Sequence, residues 1–229
     1  MAVYTKITSK EIVSISNFYQ LDKIIKFKGI KKGIENTNYL LKTDKKKLIL
    51  TIFEKRVRKK DLPFFMKLMD KLNQKNIICP KPLKNKKGQH LSTIKGKSAC
   101  IVSFVEGKDK TKLNNQNCFE IGKNIAKFHQ VSNRIKLYRR NSMSVTQLDS
   151  LLKSIKIKSS KVSSGIVPIL YKNLKDIKKE WPKDLPSGII HGDLFIDNIF
   201  FNKNNFSGFI DFYFSSNDYL MYEIAICIN

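Results

Sequence analysis

The fold of this 229-residue chain is decided by the stretch Ile190-His191-Gly192-Asp193-Leu194-Phe195-Ile196-Asp197-Asn198, which is followed by Phe209-Ile210-Asp211-Phe212. It places Asn198 five residues after Asp193, and a second aspartate, Asp211, follows a short predicted hairpin. Carboxylate and amide oxygens are the hard ligands that Mg²⁺ takes in proteins, usually one or two of them together with phosphate oxygens. Asn198 and Asp211 are therefore candidate ligands of Mg²⁺.

The spacing of these three residues is that of kinase motifs. In kinases, H-R-D-x-x-x-x-N supplies a catalytic aspartate and a metal-binding asparagine, and a later D-F-G supplies the second metal ligand. In this chain Gly192 replaces the arginine, and Tyr213 replaces the glycine of D-F-G. A lone His-Gly-Asp would more simply form a turn. The complete set predicts phosphoryl transfer from ATP, with Asp193 as the catalytic base.

Two neighbours of this set allow more than one interpretation. Asp197 is either a third acid near the metal or a residue that caps the loop through hydrogen bonds, and we favour the second. His191 is expected to be a structural residue buried against the loop rather than a general base.

Composition limits the classes of protein to which the chain can belong. Its hydrophobic fraction of 41% is ordinary for a folded protein. No apolar run reaches the ~18 residues of a membrane span, so we expect no membrane partner. The beginning of the chain has no secretory signal, and the four cysteines lack disulfide or metal-site spacing. We therefore expect a protein of the reducing cytoplasm.

The formal net charge of +25 suggests nucleic-acid binding at first sight. However, only five of the 44 basic residues are arginine, the residue best suited to bidentate phosphate contacts. The lysines are spread through nearly every segment, so we expect a solvated lysine-coated surface and no specific nucleic-acid partner. Such a surface would still attract an acidic substrate such as ATP.

The first half of the chain shows the element order of a kinase small lobe. Apolar spacing predicts a helix over residues 9–19, with Ser9 as its N-cap. A second helix is predicted from Asp61, with Pro63 in its first turn. Alternating apolar residues predict five strands, over residues 24–27, 39–43, 48–53, 89–94 and 98–105.

The second half is expected to be mostly helical, with helices around residues 121–129 and over 167–180 and a polar mobile loop over 158–165. A strand then leads to the catalytic stretch. The predicted fold class is α+β, a two-lobed protein-kinase-like fold. Residues 1–105 would form a nucleotide-binding lobe with a small antiparallel sheet, and residues 106–229 a mostly helical catalytic lobe.

The turn that precedes Asn38 lies where a kinase has its phosphate loop. It lacks G-x-G-x-x-G, but its backbone N–H groups, around Asn36 and Asn38, could form a concavity that binds an anion. On the next strand Thr51 occupies the position of the phosphate-pairing lysine. Lys42 or Lys55 could replace that lysine, or each could be one more surface lysine.

Beyond these motifs, the chain resembles the aminoglycoside-phosphotransferase-like kinases of small molecules, and more specifically the bacterial homoserine kinases of that superfamily. The catalytic stretches carry the wider resemblance. The narrower one covers nearly the whole chain, and its segments are Met1–Thr5, Phe27–Ile30, Gly33–Leu41, Leu50–Val57, Asp61–Phe65, Leu185–His191 and Ile210–Asp218.

The resemblance implies transfer of the γ-phosphate of ATP to the side-chain hydroxyl of L-homoserine, a step of threonine synthesis. It implies that Asp193 is the catalytic base and that Asn198 and Asp211 hold the metal. Ser103 and Val105 would lie in the hinge that holds adenine. Members of this family continue with further helices of the large lobe, so the chain is expected to be truncated.

Two alternatives stay open from the sequence. The chain could be another small-molecule kinase of the same superfamily, acting on choline, methylthioribose or an aminoglycoside. It could also be a non-catalytic basic binding protein on a kinase scaffold, which would bind oligonucleotides in a strongly salt-dependent way. The intact set of Asp193, Asn198 and Asp211 argues against the second alternative.

Overall fold

A five-stranded antiparallel sheet forms the centre of the small lobe in the computed structural model, which describes residues 3–33, 35–157 and 165–229. The strands lie in the order β1-β2-β3-β5-β4, and all neighbouring pairs are antiparallel, as predicted. They are β1 Ile24–Gly29, β2 Thr37–Thr43, β3 Lys47–Ile52, β4 Leu91–Ile94 and β5 Lys97–Ser103.

Each face of this sheet is covered by one helix. On one face α1, Ser9–Tyr19, packs Ile12 into the apolar cluster that contains Leu50. On the other face α2, Leu62–Gln74, packs Phe65 into a second cluster, which also contains residues of the large lobe. Because side chains alternate along a strand, β3 contributes to both clusters. The second cluster joins the two lobes.

The start of α1 corrects one prediction. The helix begins at Ser9, but its N-cap is Thr8. The Thr8 hydroxyl accepts a hydrogen bond of 3.3 Å from the backbone N–H of Glu11, and the Glu11 carboxylate accepts one of 2.8 Å from the N–H of Thr8. An N-cap is the residue just before the first helical residue, so Ser9 already belongs to the first turn.

The chain passes from β5 into the large lobe through residues 104–114. Gly107 has a φ of +107°, and a Cβ there would lie 2.5 Å from the carbonyl oxygen of Phe201. Lys108 and Phe201 exchange two backbone hydrogen bonds of 3.0 and 2.8 Å. The connection is therefore fixed against the large lobe, and the predicted boundary between residues 105 and 106 falls within it.

The large lobe is built around α3, Asn115–Ser132, whose residues Ile121, Ile125 and Phe128 are buried. Two small sheets, β6 with β9 and β7 with β8, hold the catalytic stretches. The remaining elements are α4 Val145–Ile157, α5 Ile166–Glu180, β6 Ser187–Ile190, β7 Ile199–Asn202, β8 Asn205–Phe209, β9 Ser216–Tyr219 and α6 Leu220–Ile228.

The helix α5 confirms the helix predicted over residues 167–180, whereas α4 has no counterpart among the predictions from sequence. The predicted mobile loop over 158–165 lies outside the described residues, except for Gly165. No helix in the described ranges has the length and apolar character needed to cross a membrane.

Candidate active site

Asp193 and Asn198 are joined directly by hydrogen bonds. The strand β6 ends at Ile190, and Asn198 closes a short 3₁₀ turn that follows Asp193. The Asn198 amide nitrogen donates to the Asp193 carboxylate at 2.9 Å and to the Asp193 carbonyl at 2.8 Å. These bonds fix which way the amide points. Its oxygen accepts no hydrogen bond within the described part of the chain, so it is available to a cation.

Asp211 lies beside this pair. The backbone N–H of Ile210 donates to the Asn198 carbonyl at 3.0 Å, which brings the two segments together. Asp211 itself has φ +64° and ψ +59°, a left-handed conformation that Asp tolerates better than most residues. Backbone strain of this kind is frequent at functional sites. The structure thus brings the three residues of the predicted catalytic set to one place.

The carboxylates of this site repel one another. Partial burial raises the pKa of Asp193 to about 6, and the charges of Glu35 and Asp197 add to this effect, while the Asn198 hydrogen bond and Arg56 lower it. Asp211 reaches solvent at the cleft surface, but protein surrounds its other sides. This surrounding protein, with the charges of Asp193 and Glu35, raises the pKa of Asp211 to about 7. Positive charge brought by a ligand would relieve this repulsion.

The structure confirms the structural role predicted for His191. Its side chain is buried, and Nε2 donates to the carbonyl of Ile210 at 2.8 Å. The ring packs edge-on against Phe212 with a centroid distance of 4.4 Å. Burial lowers the pKa of His191, so the ring stays neutral. It supports the segment that ends in Asp211 and does not face the cleft as a base.

Glu223 is a functional residue that the sequence analysis misses. It lies on α6, is fully buried, and accepts hydrogen bonds from the backbone N–H groups of His191 at 2.6 Å and Gly192 at 2.9 Å. The Nε2 atom of His129 lies 3.5 Å away. Glu223 therefore holds the turn that leads into Asp193. One signal was present in the sequence, since Glu223 is the only charged residue of α6.

Gly192 is required by the close packing of two segments. Its φ is +79°, and a Cβ there would lie 2.9 Å from the carbonyl oxygen of Phe214. The arginine of the kinase motif cannot be accommodated at this position without moving Phe214. The glycine therefore lets the stretch after Asp211 lie directly against the stretch before Asp193.

The asparagines of the small-lobe turn connect it to β3. The Thr51 hydroxyl donates to the Asn38 side-chain oxygen at 2.8 Å, and the backbone N–H of Glu54 donates to the Asn36 side-chain oxygen at 3.4 Å. Asn36 is buried, whereas Asn38 is only partly so. Asn36 therefore holds the turn from its buried side. That Asn36 and Asn38 bind the nucleotide stays a prediction.

The two candidate phosphate lysines lie apart from the catalytic set. Lys42 is exposed and pairs in the sheet with Lys47, whose ammonium binds Glu106 at 3.0 Å near the hinge. Lys55 is exposed and makes no ion pair with any described residue. Their role toward phosphate remains a prediction.

Arg56, the next residue, does reach the site. It forms an ion pair with Glu35 of the β1–β2 turn, and its guanidinium lies 5.0 Å from the ring centroid of Phe214. Its sequence context does not distinguish it, because in a lysine-rich stretch it looks like one more surface charge.

The hinge residues differ in which backbone hydrogen-bonding groups remain available to a ligand. The backbone N–H and the hydroxyl oxygen of Ser103 are both bonded to Lys81, at 2.9 and 2.8 Å. The N–H of Phe104 donates to the Lys47 carbonyl at 3.3 Å. The N–H of Val105, by contrast, has no partner among the described residues. Val105 is therefore better placed than Ser103 to donate to an adenine ring.

The donor set suits magnesium rather than a metal bound entirely by protein. No group of three or more His, Cys, Asp or Glu side chains that could hold a metal occurs within the described ranges. Mg²⁺ needs fewer protein ligands. The free amide oxygen of Asn198 and the neighbouring carboxylate of Asp211 would provide two. Asp197 is exposed and its carboxylate makes no hydrogen bond to a described residue, so the cap that we favour is not observed.

The arrangement defines a class of protein. Asp193 oriented by Asn198, Asp211 beside this pair and a sheet lobe above the cleft together form the arrangement that is typical of a kinase-type phosphotransferase. In agreement, the sequence model described as "Phosphotransferase enzyme family" matches residues 26–229. Among solved structures, the fold is similar to that of the amicoumacin kinase hAmiN in complex with AMP-PNP, Ca²⁺ and Ami. The TM-score is 0.77 at 16% identity, over 97% of this chain and 69% of that one.

Curated relatives are more similar in sequence. The homoserine kinase of Rhizobium meliloti (strain 1021) is 42% identical over all 229 residues, which span 70% of its length. That of Agrobacterium fabrum (strain C58 / ATCC 33970) is also 42% identical, over 71% of its length. The chain therefore belongs to the phosphotransferase enzyme family and, within it, to the homoserine kinases.

Proposed function

We propose that the protein transfers the γ-phosphate of ATP to the side-chain hydroxyl of L-homoserine and forms O-phospho-L-homoserine for threonine synthesis. The observation that carries this proposal is the 42% identity to homoserine kinases along the entire chain. The fold alone would not choose the acceptor, since solved structures with a similar fold include an amicoumacin kinase and a spectinomycin phosphotransferase.

Asp193 is the residue that acts on the acceptor. Its carboxylate, held by the Asn198 amide, would accept a hydrogen bond from the homoserine hydroxyl and take its proton as the phosphoryl group is transferred. With its pKa raised to about 6, the carboxylate is mostly ionised at neutral pH yet more basic than an ordinary aspartate. This basicity suits a general base that works near neutrality.

Asn198 and Asp211 would hold Mg²⁺ through the amide oxygen and the carboxylate. When bound, the ion would neutralise charge on the nucleotide phosphates. Adenine would lie against the hinge, with the N–H of Val105 as the available donor and Ser103 at its edge. The proposed nucleotide site also includes the turn residues Asn36 and Asn38 and the exposed lysines Lys42 and Lys55.

The proposed partner is a small molecule, and the proposed location is the cytoplasm. Cys79, Cys100, Cys118 and Cys227 are all free thiols in the structure. Free thiols persist in a reducing compartment, which supports this location.

A coupled assay of ADP release across a panel of acceptors tests the proposal. We expect turnover with L-homoserine and a loss of at least about 100-fold in kcat for Asp193→Asn, which keeps the shape but removes the base. Asp184→Asn, at an exposed aspartate away from the site, is the matched control. Turnover with choline, methylthioribose or an aminoglycoside but none with homoserine would overturn the acceptor.

The non-catalytic alternative makes a different prediction. A basic binding protein would release no ADP with any acceptor and would bind an oligonucleotide with an affinity that falls steeply with salt. Binding of that kind, unchanged in Asn198→Ala, would overturn the assignment of a kinase.

A further inference from the structure

The small lobe lacks a cation at the usual position for nucleotide phosphates. Side chains on β3 alternate between the two faces of the sheet, so Ile49, Thr51 and Phe53 point toward the large lobe. Thr51 therefore faces the cleft, but it is neutral, and its hydroxyl is already bonded to Asn38. A triphosphate bound above Asp193 would find no positive charge at this position of the strand, because the lysine of β3, Lys47, lies at its other end and pairs with Glu106.

Lys42 lies too far along the sheet to supply this positive charge. It pairs with Lys47 in the register of β2 and β3, whereas Asn38 pairs with Thr51. Four residues along a strand correspond to about 13 Å, so Lys42 lies at the hinge end of the cleft. Lys55 is closer in sequence, but its exposed side chain forms no ion pair or hydrogen bond with a described residue of the site.

Arg56 lies where the missing charge is needed. Its guanidinium stacks over the Phe214 ring at 5.0 Å, and the Phe214 carbonyl packs against Gly192, the residue before Asp193. The guanidinium thus crosses from the end of β3 to the catalytic segment. Electrostatics agree with this placement, because the charge of Arg56 lowers the pKa of Asp193.

The partner of Arg56 comes from the phosphate-loop position. Glu35, in the β1–β2 turn, forms the ion pair with the guanidinium. The Arg56 side chain is 55% exposed and that of Glu35 21% exposed, so the pair faces the open cleft. The charge of Glu35 also raises the pKa of both Asp193 and Asp211. A carboxylate so close to two others is in an unfavourable place unless a cation holds it.

We propose that Arg56 binds the phosphates of the nucleotide in place of the strand lysine, and that Glu35 holds its guanidinium in the cleft until the phosphates displace it. This inference rests on the proposed ATP-dependent transfer. The planar guanidinium has five donors in a fork that matches phosphate oxygens, and stacking on Phe214 orients it in advance. When phosphate replaces Glu35, the carboxylate leaves the neighbourhood of Asp193 and Asp211.

Calorimetric titration with nucleotides tests this role, because it needs no acceptor. The variants are Arg56→Gln, Arg56→Lys and the control Lys60→Gln, which removes an exposed charge that forms no ion pair or hydrogen bond with a described residue. We expect Arg56→Gln to weaken binding of Mg²⁺-ATP roughly tenfold or more. Binding of adenosine should be unchanged, Arg56→Lys should restore part of the loss, and Lys60→Gln should bind as the parent does.

Several outcomes would overturn the assignment. An equal loss for adenosine and ATP would mean that Arg56 only supports the fold. Unchanged ATP binding with a raised KM for homoserine would place Arg56 at the acceptor instead. A loss confined to Lys42→Gln or Lys55→Gln would return the role to a lysine. If homoserine is not the acceptor but Arg56→Gln still weakens ATP binding, the proposed acceptor is wrong and the role of Arg56 stands.

Glu35→Gln tests the displacement separately. Since no carboxylate would then have to leave the guanidinium, we expect ATP to bind roughly two- to fivefold more tightly, the size expected for a half-exposed ion pair. Unchanged or weaker binding would overturn the role proposed for Glu35. The role of Arg56 would still be decided by the Arg56 variants.

Discussion

Gly192 is the residue at which backbone conformation and close packing most directly support the site. Both its φ of +79° and the Phe214 carbonyl, 2.9 Å from the position of a Cβ, disfavour any side chain. We expect Gly192→Ala to lower the free energy of unfolding by about 1–3 kcal/mol and to reduce kcat by displacing Asp193. Urea denaturation and the ADP-release assay measure the two effects.

Gly122→Ala is the matched control for this substitution. Gly122 lies inside α3, and a Cβ there would have no atom within 4 Å. We expect the free energy of unfolding to rise by about 0.5–1 kcal/mol, because alanine has a higher helix propensity than glycine. Activity should be unchanged. If Gly192→Ala behaved in the same way, the close approach of Phe214 would have no consequence.

Asp211 should release a proton when it binds magnesium nucleotide. Its pKa is raised to about 7 from an ordinary value of 3.8, so at pH 6 the free protein holds this proton. Binding of the cation favours the ionised carboxylate and expels the proton, whereas at pH 8.5, well above that pKa, none is left to release. Calorimetry in buffers of different ionisation enthalpy should show release at the lower pH and not at the higher. Asp211→Asn should abolish it.

The same shift affects stability without ligand. The folded chain keeps the Asp211 proton up to about pH 7, whereas the unfolded chain loses it near 3.8. The contribution of Asp211 to the free energy of unfolding therefore falls as pH rises through this window. Urea denaturation should show that Asp211→Asn flattens this fall. An identical pH dependence in the variant would mean that Asp211 does not titrate there.

At the scale of elements, α6 controls the catalytic turn through Glu223. Both carboxylate oxygens accept backbone N–H groups, one from His191 and one from Gly192. Glu223→Gln offers only one acceptor oxygen and turns a donor toward the second N–H. We expect a loss of about 1–3 kcal/mol in the free energy of unfolding and a lower kcat, with the KM for ATP less affected. Glu180→Gln, at the exposed end of α5, should change neither.

Elements with clear periodicity were predictable from sequence, and elements that depend on distant partners were not. The apolar spacing of α2 and the alternation of β3 predict both correctly, because each buries its own apolar side chains. The helix α4 buries Val145 and Leu152 by packing on α5. Its existence follows from that neighbour rather than from its own residues.

That Asp193, Asn198 and Asp211 lie together was predictable for a similar reason, whereas the residues that support them were not. Asp193, Asn198 and Asp211 keep a local spacing that the chemistry requires. Glu223 contacts His191 and Gly192, which lie 32 and 31 positions away, and Arg56 contacts Phe214, which lies 158 positions away. Nothing local separates Arg56 from the basic residues around it. Only the fold shows which of these charges reaches the cleft.

At the scale of the whole molecule, a buried ion pair crosses between the lobes. Arg139 of the large lobe donates to the carboxylate of Asp61, at the start of α2, at 3.0 Å and to the carbonyl of Ser215 at 2.9 Å. Its guanidinium also lies 5.0 Å from the ring centroid of Phe65. The side chains of Arg139 and Asp61 are only 9% and 10% exposed. The pair therefore joins α2 to the segment that follows Asp211.

Breaking this pair should destabilise the protein as a unit. For Arg139→Gln we expect a loss of about 3 kcal/mol in the free energy of unfolding, the low end for a buried pair, because Arg58 still faces Asp61 at 3.0 Å. Arg58→Gln, which removes the exposed partner of the same carboxylate, should cost about 1 kcal/mol or less. Urea denaturation compares the two. Equal costs would contradict the special role of Arg139.

A double-mutant cycle separates the two ways in which Arg139 can act. If it joins the lobes through Asp61, the costs of Arg139→Gln and Asp61→Asn should overlap, with a coupling energy of roughly 1 kcal/mol or more. If it acts mainly by holding the carbonyls of Phe214 and Ser215, the two costs should add. Additive costs would mean that the ion pair with Asp61 contributes little to joining the lobes, which also share the apolar cluster around Phe65 and a backbone hydrogen bond from Phe209 to Ile78.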